Sequence, residues 1–134
     1  MATGRTGEAG ALREGLLSQL TRDQTLAEMI LRESTRFEGI DPEAYGTHLI
    51  LHAVGSSTRL DIPVTRTPLH AGDVTLLCSD GLSGPVSDGA IASILGAHPD
   101  PALACDALVA AANANGGPDN VTCVVVRVGQ LTTR

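Results

Sequence analysis

The sequence predicts an α+β domain in which helices pack on an antiparallel sheet. Three observations carry this expectation. Residues 121–128, Val-Thr-Cys-Val-Val-Val-Arg-Val, are apolar at nearly every position and rich in β-branched side chains, the pattern of a central strand covered on both faces. Residues 74–79 form a second apolar run behind the turn His70-Ala71-Gly72-Asp73. Between these runs lie two segments with helix-start chemistry, Ser87 and Asp88 ahead of Ile91, Ile94 and Leu95, and Asp100 ahead of Pro101.

In chain order, residues 1–10 are small, polar and Gly-rich, and they read as a flexible leader, with structure beginning near Leu16. Leu16, Leu17 and Leu20 suggest a short strand. Thr21-Arg22-Asp23-Gln24 fits a capping box, the Thr hydroxyl accepting one amide while Gln reaches back to another, ahead of a helix through Leu26, Met29 and Ile30. Asp41-Pro42-Glu43 repeats the helix-start logic. Leu60, Ile62 and Val64 alternate with Asp61 and Thr65 as in a half-buried strand, which Pro63 pushes toward a sheet edge. Gly96 can close the first late helix. The second is expected over residues 101–113, ending at Asn115-Gly116-Gly117, where glycines permit positive φ.

Composition narrows the function. The chain has 134 residues, enough for one domain, and 43% of them are hydrophobic. Phe37 and Tyr45 are its only aromatics, so the core must be aliphatic. A net charge of -6 provides no basic footprint for nucleic acid or an anionic membrane surface. All nine basic residues are Arg, which excludes a Walker-type phosphate loop, a Schiff-base enzyme and a lysine general base. No apolar h-region opens the chain and no apolar run is long enough to span a membrane. Three cysteines without a CxxC pair argue against a disulfide framework or zinc ribbon and favour a reducing cytoplasm. Cys78, Cys105 and Cys123 fall in apolar strand or helix patterns and are expected to be buried, inert thiols.

The chemistry lies where strands meet turns. Asp80 follows Leu76-Leu77-Cys78-Ser79, and Gly81 lets the chain turn without crowding the carboxylate. Asp119 sits between Gly116-Gly117-Pro118 and the strand from Val121. If those strands are neighbours, the carboxylates converge at one sheet edge, where a pair about 5 Å apart repels by roughly 3 kcal/mol at an effective dielectric near 20. Such a pair calls for a cation. Hard oxygen donors without His or Cys favour Mg²⁺ or Mn²⁺ over zinc. Each Asp alone is equally at home starting or capping a turn.

Leu76-Leu77-Cys78-Ser79-Asp80-Gly81-Leu82, followed by Asp119-Asn120-Val121-Thr122 and a Val-rich strand, resembles the metal-dependent type 2C (PPM-type) serine/threonine protein phosphatases in their bacterial form. Leu20-Thr21-Arg22-Asp23-Gln24-Thr25 and Leu49-Ile50-Leu51-His52-Ala53-Val54-Gly55 resemble further segments of that family, in the same order, so the likeness runs from about Leu12 to Val128. Asp-Asn at 119 and 120 is similar to the type 2C branch, whereas the related sporulation and stress-response phosphatases usually carry Asp-Asp.

The resemblance implies that Asp80 and Asp119 are ligands of one of two catalytic metals, Mg²⁺ or Mn²⁺, and that a metal-bound water attacks the phosphorus of phosphoserine or phosphothreonine directly. It also implies what this chain lacks. The family's phosphate-gripping Arg, its metal-bridging Asp-Gly-x-Gly-Gly segment and its Gly-Asp-Ser-Arg segment have no counterpart here; Asp88-Gly89 reads as a helix cap. The expected layout is a leader over residues 1–11, the C-terminal part of a phosphatase domain over 12–130, and a tail over 131–134. The expected architecture is a partial α-β-β-α layered sandwich.

Two carboxylates leave most of an octahedral shell to water, so the chain alone is expected to bind metal weakly and to be inactive. Half a sandwich exposes its inner face, at roughly 1.5–3 kcal/mol for each large apolar side chain left uncovered. Self-association or pairing with a missing N-terminal half is therefore expected. Further partners implied by the resemblance are a phosphoprotein substrate or the cognate serine/threonine kinase. The alternatives are a non-catalytic phosphatase-like binding module and a structural remnant. His48 and His52 have i, i+4 spacing but lack the catalytic Glu and a third ligand. Ser83 is one residue out of step with a nucleophile elbow, and Arg59 and Arg66 read as decoration of an exposed strand.

Overall fold

A computed structural model of the chain describes residues 8–21, 29–31, 33, 36, 39 and 64–130. Its elements are β1 (Glu8–Arg13), β2 (Leu16–Gln19), β3 (Val74–Cys78), α1 (Asp80–Ser83), α2 (Asp88–Ala97), α3 (Pro101–Ala114) and β4 (Cys123–Arg127). The strands form one antiparallel sheet in the order β2-β1-β3-β4. The expected α+β architecture, helices on an antiparallel sheet, is what the chain adopts.

Two expectations about the sheet are corrected. The leader proposed for residues 1–11 contains a strand, because β1 begins at Glu8 and pairs with both β2 and β3. Its sequence, Glu-Ala-Gly-Ala-Leu-Arg, carries no β-branched residue, so propensity gave no sign of it; tertiary pairing fixes it instead. A two-residue turn at Glu14 (φ 51°) and Gly15 (φ 81°) closes the β1–β2 hairpin, the mirror-image geometry that matches strand twist. Residues 1–7 lie outside the described residues.

The second correction concerns the Val-rich strand. β4 stands at an edge of the described sheet and β3 holds the central place. Val125 is buried at 8% exposure, yet its neighbours Val124 and Val126 are 51% and 47% exposed. By register, Val124 shares a face with its partner Leu77, itself 47% exposed, and with Ala9 beyond it. The run is apolar on both sides because both sides of the sheet are apolar, although the described helices cover only one.

The covered face bears Leu12, Val74, Leu76 and Val125, which pack against Leu82, Val86, Ile91, Leu95, Ala104, Leu108 and Ala112 from the helical layer. That described core is wholly aliphatic, as the composition required. The late helices begin as their caps dictate: Ser87 accepts the amide of Ala90 at 3.3 Å, and Asp100 accepts that of Ala102 at 2.7 Å with Pro101 in the first turn. α2 continues through Gly96 to Ala97, so Gly96 does not close it. Instead the Arg127 guanidinium donates to the carbonyls of Leu95 and His98, satisfying the end of that helix with a cation. α3 ends as expected, at Gly116 and Gly117 with φ of 105° and 51°.

An ion pair anchors the sheet at the end opposite the candidate site. Arg13 donates from Nε and Nη2 to the two oxygens of Asp73 at 2.8 and 2.6 Å, and the amide of His70 adds a third donor at 2.7 Å. Asp73 is only 2% exposed, so all this hydrogen bonding replaces lost water.

Of the earlier elements, Met29, Ile30 and Leu31 are helical and Ile30 is buried, in keeping with the helix expected there. The Thr21 hydroxyl accepts the amide of Ala9 at 2.9 Å, tying the chain to β1; its expected capping partners, Asp23 and Gln24, lie outside the described residues. Val64 and Arg66 are exposed and in no strand. The expectations for Asp41-Pro42-Glu43, His48, His52, the segment 49–55, Arg59 and the tail 131–134 lie outside the described residues.

Candidate metal centre

β3 and β4 are direct neighbours, and Cys78 opposite Cys123 is the last pair of their ladder. One hydrogen bond carries the pairing further, from the Ser79 amide to the Thr122 carbonyl at 3.0 Å. Beyond it the two chains diverge into the acidic segments. Asp80 opens α1 on one side, and Asp119-Asn120 precedes β4 on the other.

Ser79 holds these segments together. Its hydroxyl donates to the Asn120 carbonyl and accepts the Thr122 amide, each at 3.1 Å. Ser79 is also the residue capping α1, yet its side chain makes no cap hydrogen bond, because both its capacities are spent across the gap. Sequence reasoning passed over Ser79. Its only signal was position, a short hydroxyl beside one motif acid.

Gly81 completes the junction. A Cβ at this position would lie 2.2 Å from the Asn120 carbonyl oxygen, a distance no side chain can tolerate. The backbone of α1 therefore rests against the backbone of the Asp119-Asn120 segment. Asp119 is exposed and Asp80 half-buried, so this end of the sheet is open to solvent. The amide of Asn120 donates to Asp119 Oδ1 at 2.7 Å, which restricts rotation of that carboxylate. The two acidic segments that the sequence singled out thus meet at one sheet end.

Carboxylate oxygens make a hard donor set. In number it is short. Among the described residues, no group of three or more His, Cys, Asp or Glu side chains is arranged to hold a metal ion. Ser83 lies inside α1 with its hydroxyl buried, no position for a nucleophile. The three cysteines, expected to be sealed in the core, are half-buried and sit together beneath this junction. Among the described residues, no helix is long and apolar enough to cross a membrane.

No family model matches the chain. Individual proteins do match it. The chain is 40% identical over 121 residues to the serine/threonine protein phosphatase PstP of Mycobacterium tuberculosis, covering 87% of this chain and 22% of that protein. A crystal structure of the PstP catalytic domain in complex with two manganese ions superposes with a TM-score of 0.76 at 38% identity, over 94% of this chain and 51% of that one. The S. agalactiae serine/threonine phosphatase structure superposes with a TM-score of 0.80 at 26% identity, over 92% of this chain and 51% of that one. The chain thus spans about half the length of the solved domains it matches. The strand pairing and these likenesses agree: the chain's homologues and structural neighbours are bacterial PPM-type (type 2C) serine/threonine phosphatases, and it spans about half of their catalytic domain, as a C-terminal fragment would.

Proposed function

We propose that this chain supplies half of a metal-dependent phosphatase site, with Asp80 and Asp119 holding one Mg²⁺ or Mn²⁺ between them. The observation that supports this reading is the backbone contact of Gly81 with Asn120, fastened by the Ser79 hydroxyl. When bound, a divalent ion of this kind supplies an activated water and neutralises charge on the phosphoryl oxygens. The chain's own residues do the positioning. Ser79 fixes the spacing of the two loops, Gly81 permits their approach, and the Asn120 amide orients the Asp119 carboxylate.

The reaction assigned is hydrolysis of phosphoserine or phosphothreonine in a phosphoprotein, carried out only with a complementary N-terminal half. That half must bring the phosphate-gripping Arg and the bridging Asp, which this sequence does not contain. Its docking place is the uncovered sheet face of Leu77, Val124 and Val126. In its absence the same face favours self-association. The setting that suits three cysteines outside any disulfide is a reducing cytoplasm.

The incomplete donor set favours a second reading, a phosphatase-shaped module that binds a phosphoprotein or its kinase without turnover. One experiment separates them. The pure chain should not turn over p-nitrophenyl phosphate with Mn²⁺. Co-expression with the N-terminal half of a relative's catalytic domain should restore turnover, and Asp80→Asn should abolish it. A folded, co-purifying complex without turnover would favour the binding module.

A further inference from the structure

Cys78, Cys105 and Cys123 are far apart in sequence and meet at one place in the fold. Cys78 and Cys123 face each other across β3 and β4. The Cys123 thiol donates to the Cys105 carbonyl of α3 at 3.9 Å, and all three side chains pack against the core from a half-buried position. None is in a disulfide.

The type of strand pair matters. The hydrogen bond from Ser79 to Thr122 marks the next pair along as the hydrogen-bonded kind, so Cys78 and Cys123 form a non-hydrogen-bonded pair. In such pairs the Cα atoms approach to about 4.5 Å and the side chains come closest. A disulfide spans Cα separations of about 4.4–6.8 Å. Closing one here requires Cys123 Sγ to give up its weak hydrogen bond to the Cys105 carbonyl.

A route to the first thiol exists. A cavity of about 30 Å³ is lined by Cys78 together with Glu8, Gln19, Leu76, Asp88 and Ile91. Gly10 and Leu17 complete a lining that is mostly apolar with Glu8, Gln19 and Asp88 as its polar groups, and its size suits one or two molecules of water, the scale of a hydroperoxide. Cys123, in contrast, is protected. Burial first, and the neighbouring Cys105 thiol second, push its pKa up to about 11, which disfavours its thiolate.

We propose that Cys78 and Cys123 are a peroxide-oxidisable pair, with Cys78 the thiol attacked and Cys123 the resolving thiol, closing into a cross-strand disulfide beside the Ser79–Asp80 junction. The sulfur of Cys78 displaces water from hydrogen peroxide and becomes a sulfenic acid. The sulfur of Cys123 then attacks that sulfur, the S–O bond breaks, and the hydroxide leaves as water with the Cys123 proton. Two thiols are oxidised to one disulfide as one peroxide is reduced to two waters. The new bond staples β3 to β4 one residue before the hydrogen bonds of Ser79. This inference stands on thiol geometry and does not depend on metal binding.

The test is to oxidise the purified 134-residue chain with hydrogen peroxide, alkylate the remaining thiols and map the products without reduction. Trypsin is unsuitable because no Arg or Lys lies between Arg66 and Arg127; cleavage before Asp leaves each cysteine in its own peptide. The expected product joins the Cys78 and Cys123 peptides within one chain, with loss of two hydrogens, and dithiothreitol reverses it. The Cys105→Ala variant should still form it and Cys123→Ala should not. Full alkylation of all three thiols after peroxide, or a bridge that uses Cys105, would overturn the proposal. Should Cys123→Ala fail to fold, the wild-type and Cys105→Ala maps decide the matter alone.

Discussion

Gly81 sits so close to Asn120 that the Cβ it lacks would be 2.2 Å from that residue's carbonyl oxygen. Two chain segments thirty-odd positions apart are thereby packed backbone to backbone at the end of β3 and β4. Gly81→Ala should force them apart, at an overpacking cost of about 1–3 kcal/mol, and should lower the melting temperature. Gly89→Ala is the matched control, because nothing lies within 4 Å of a Cβ there, and it should leave stability equal or raise it by up to about 1 kcal/mol. Thermal melts of the two variants read the difference.

Acid should loosen the fold through Asp73. The Arg13 guanidinium foremost, then the His70 amide, hold this carboxyl well below the usual carboxylate range. A folded-state value below the unfolded one means stability that is fully present above the ordinary carboxylate pKa and is lost as pH falls beneath it. Urea midpoints should therefore decline below about pH 4. Asp73→Asn should be less stable than the parent at neutral pH and should show a shallower decline in acid.

The uncovered sheet face predicts association. Leu77 and its cross-strand partner Val124 are 47% and 51% exposed side by side, with Val126 on the same face. Sedimentation velocity should find the chain self-associated at micromolar concentration. Leu77→Lys should shift it toward monomer while far-ultraviolet circular dichroism stays the same. A parent chain that is monodisperse and monomeric would contradict this account of the face.

Much of the helical layer could be read directly from local chemistry. Ser87, Asp100 and Pro101 start their helices where capping rules place them, and Gly116 and Gly117 adopt the positive φ that ends α3. The sheet was less legible because pairing is not local. β1 has no β-branched residue and becomes a strand through partners on both sides, while the valines of β4 cannot announce whether the layer beyond them is present. At the candidate site the acids were legible from the turns around them. The residue that fastens them, Ser79, was not, since its role depends on the register that sets it opposite Thr122.

The most direct measurement is Mn²⁺ binding by the purified chain, followed by electron paramagnetic resonance, for the parent, Asp80→Asn and Asp119→Asn. One weak site is expected, with Kd on the order of a millimolar for so sparse a ligand set. Each substitution should weaken it at least tenfold, about 1.4 kcal/mol, and the double variant should do no worse than either single one. Binding that survives either substitution unchanged would mean that the two carboxylates do not share a cation.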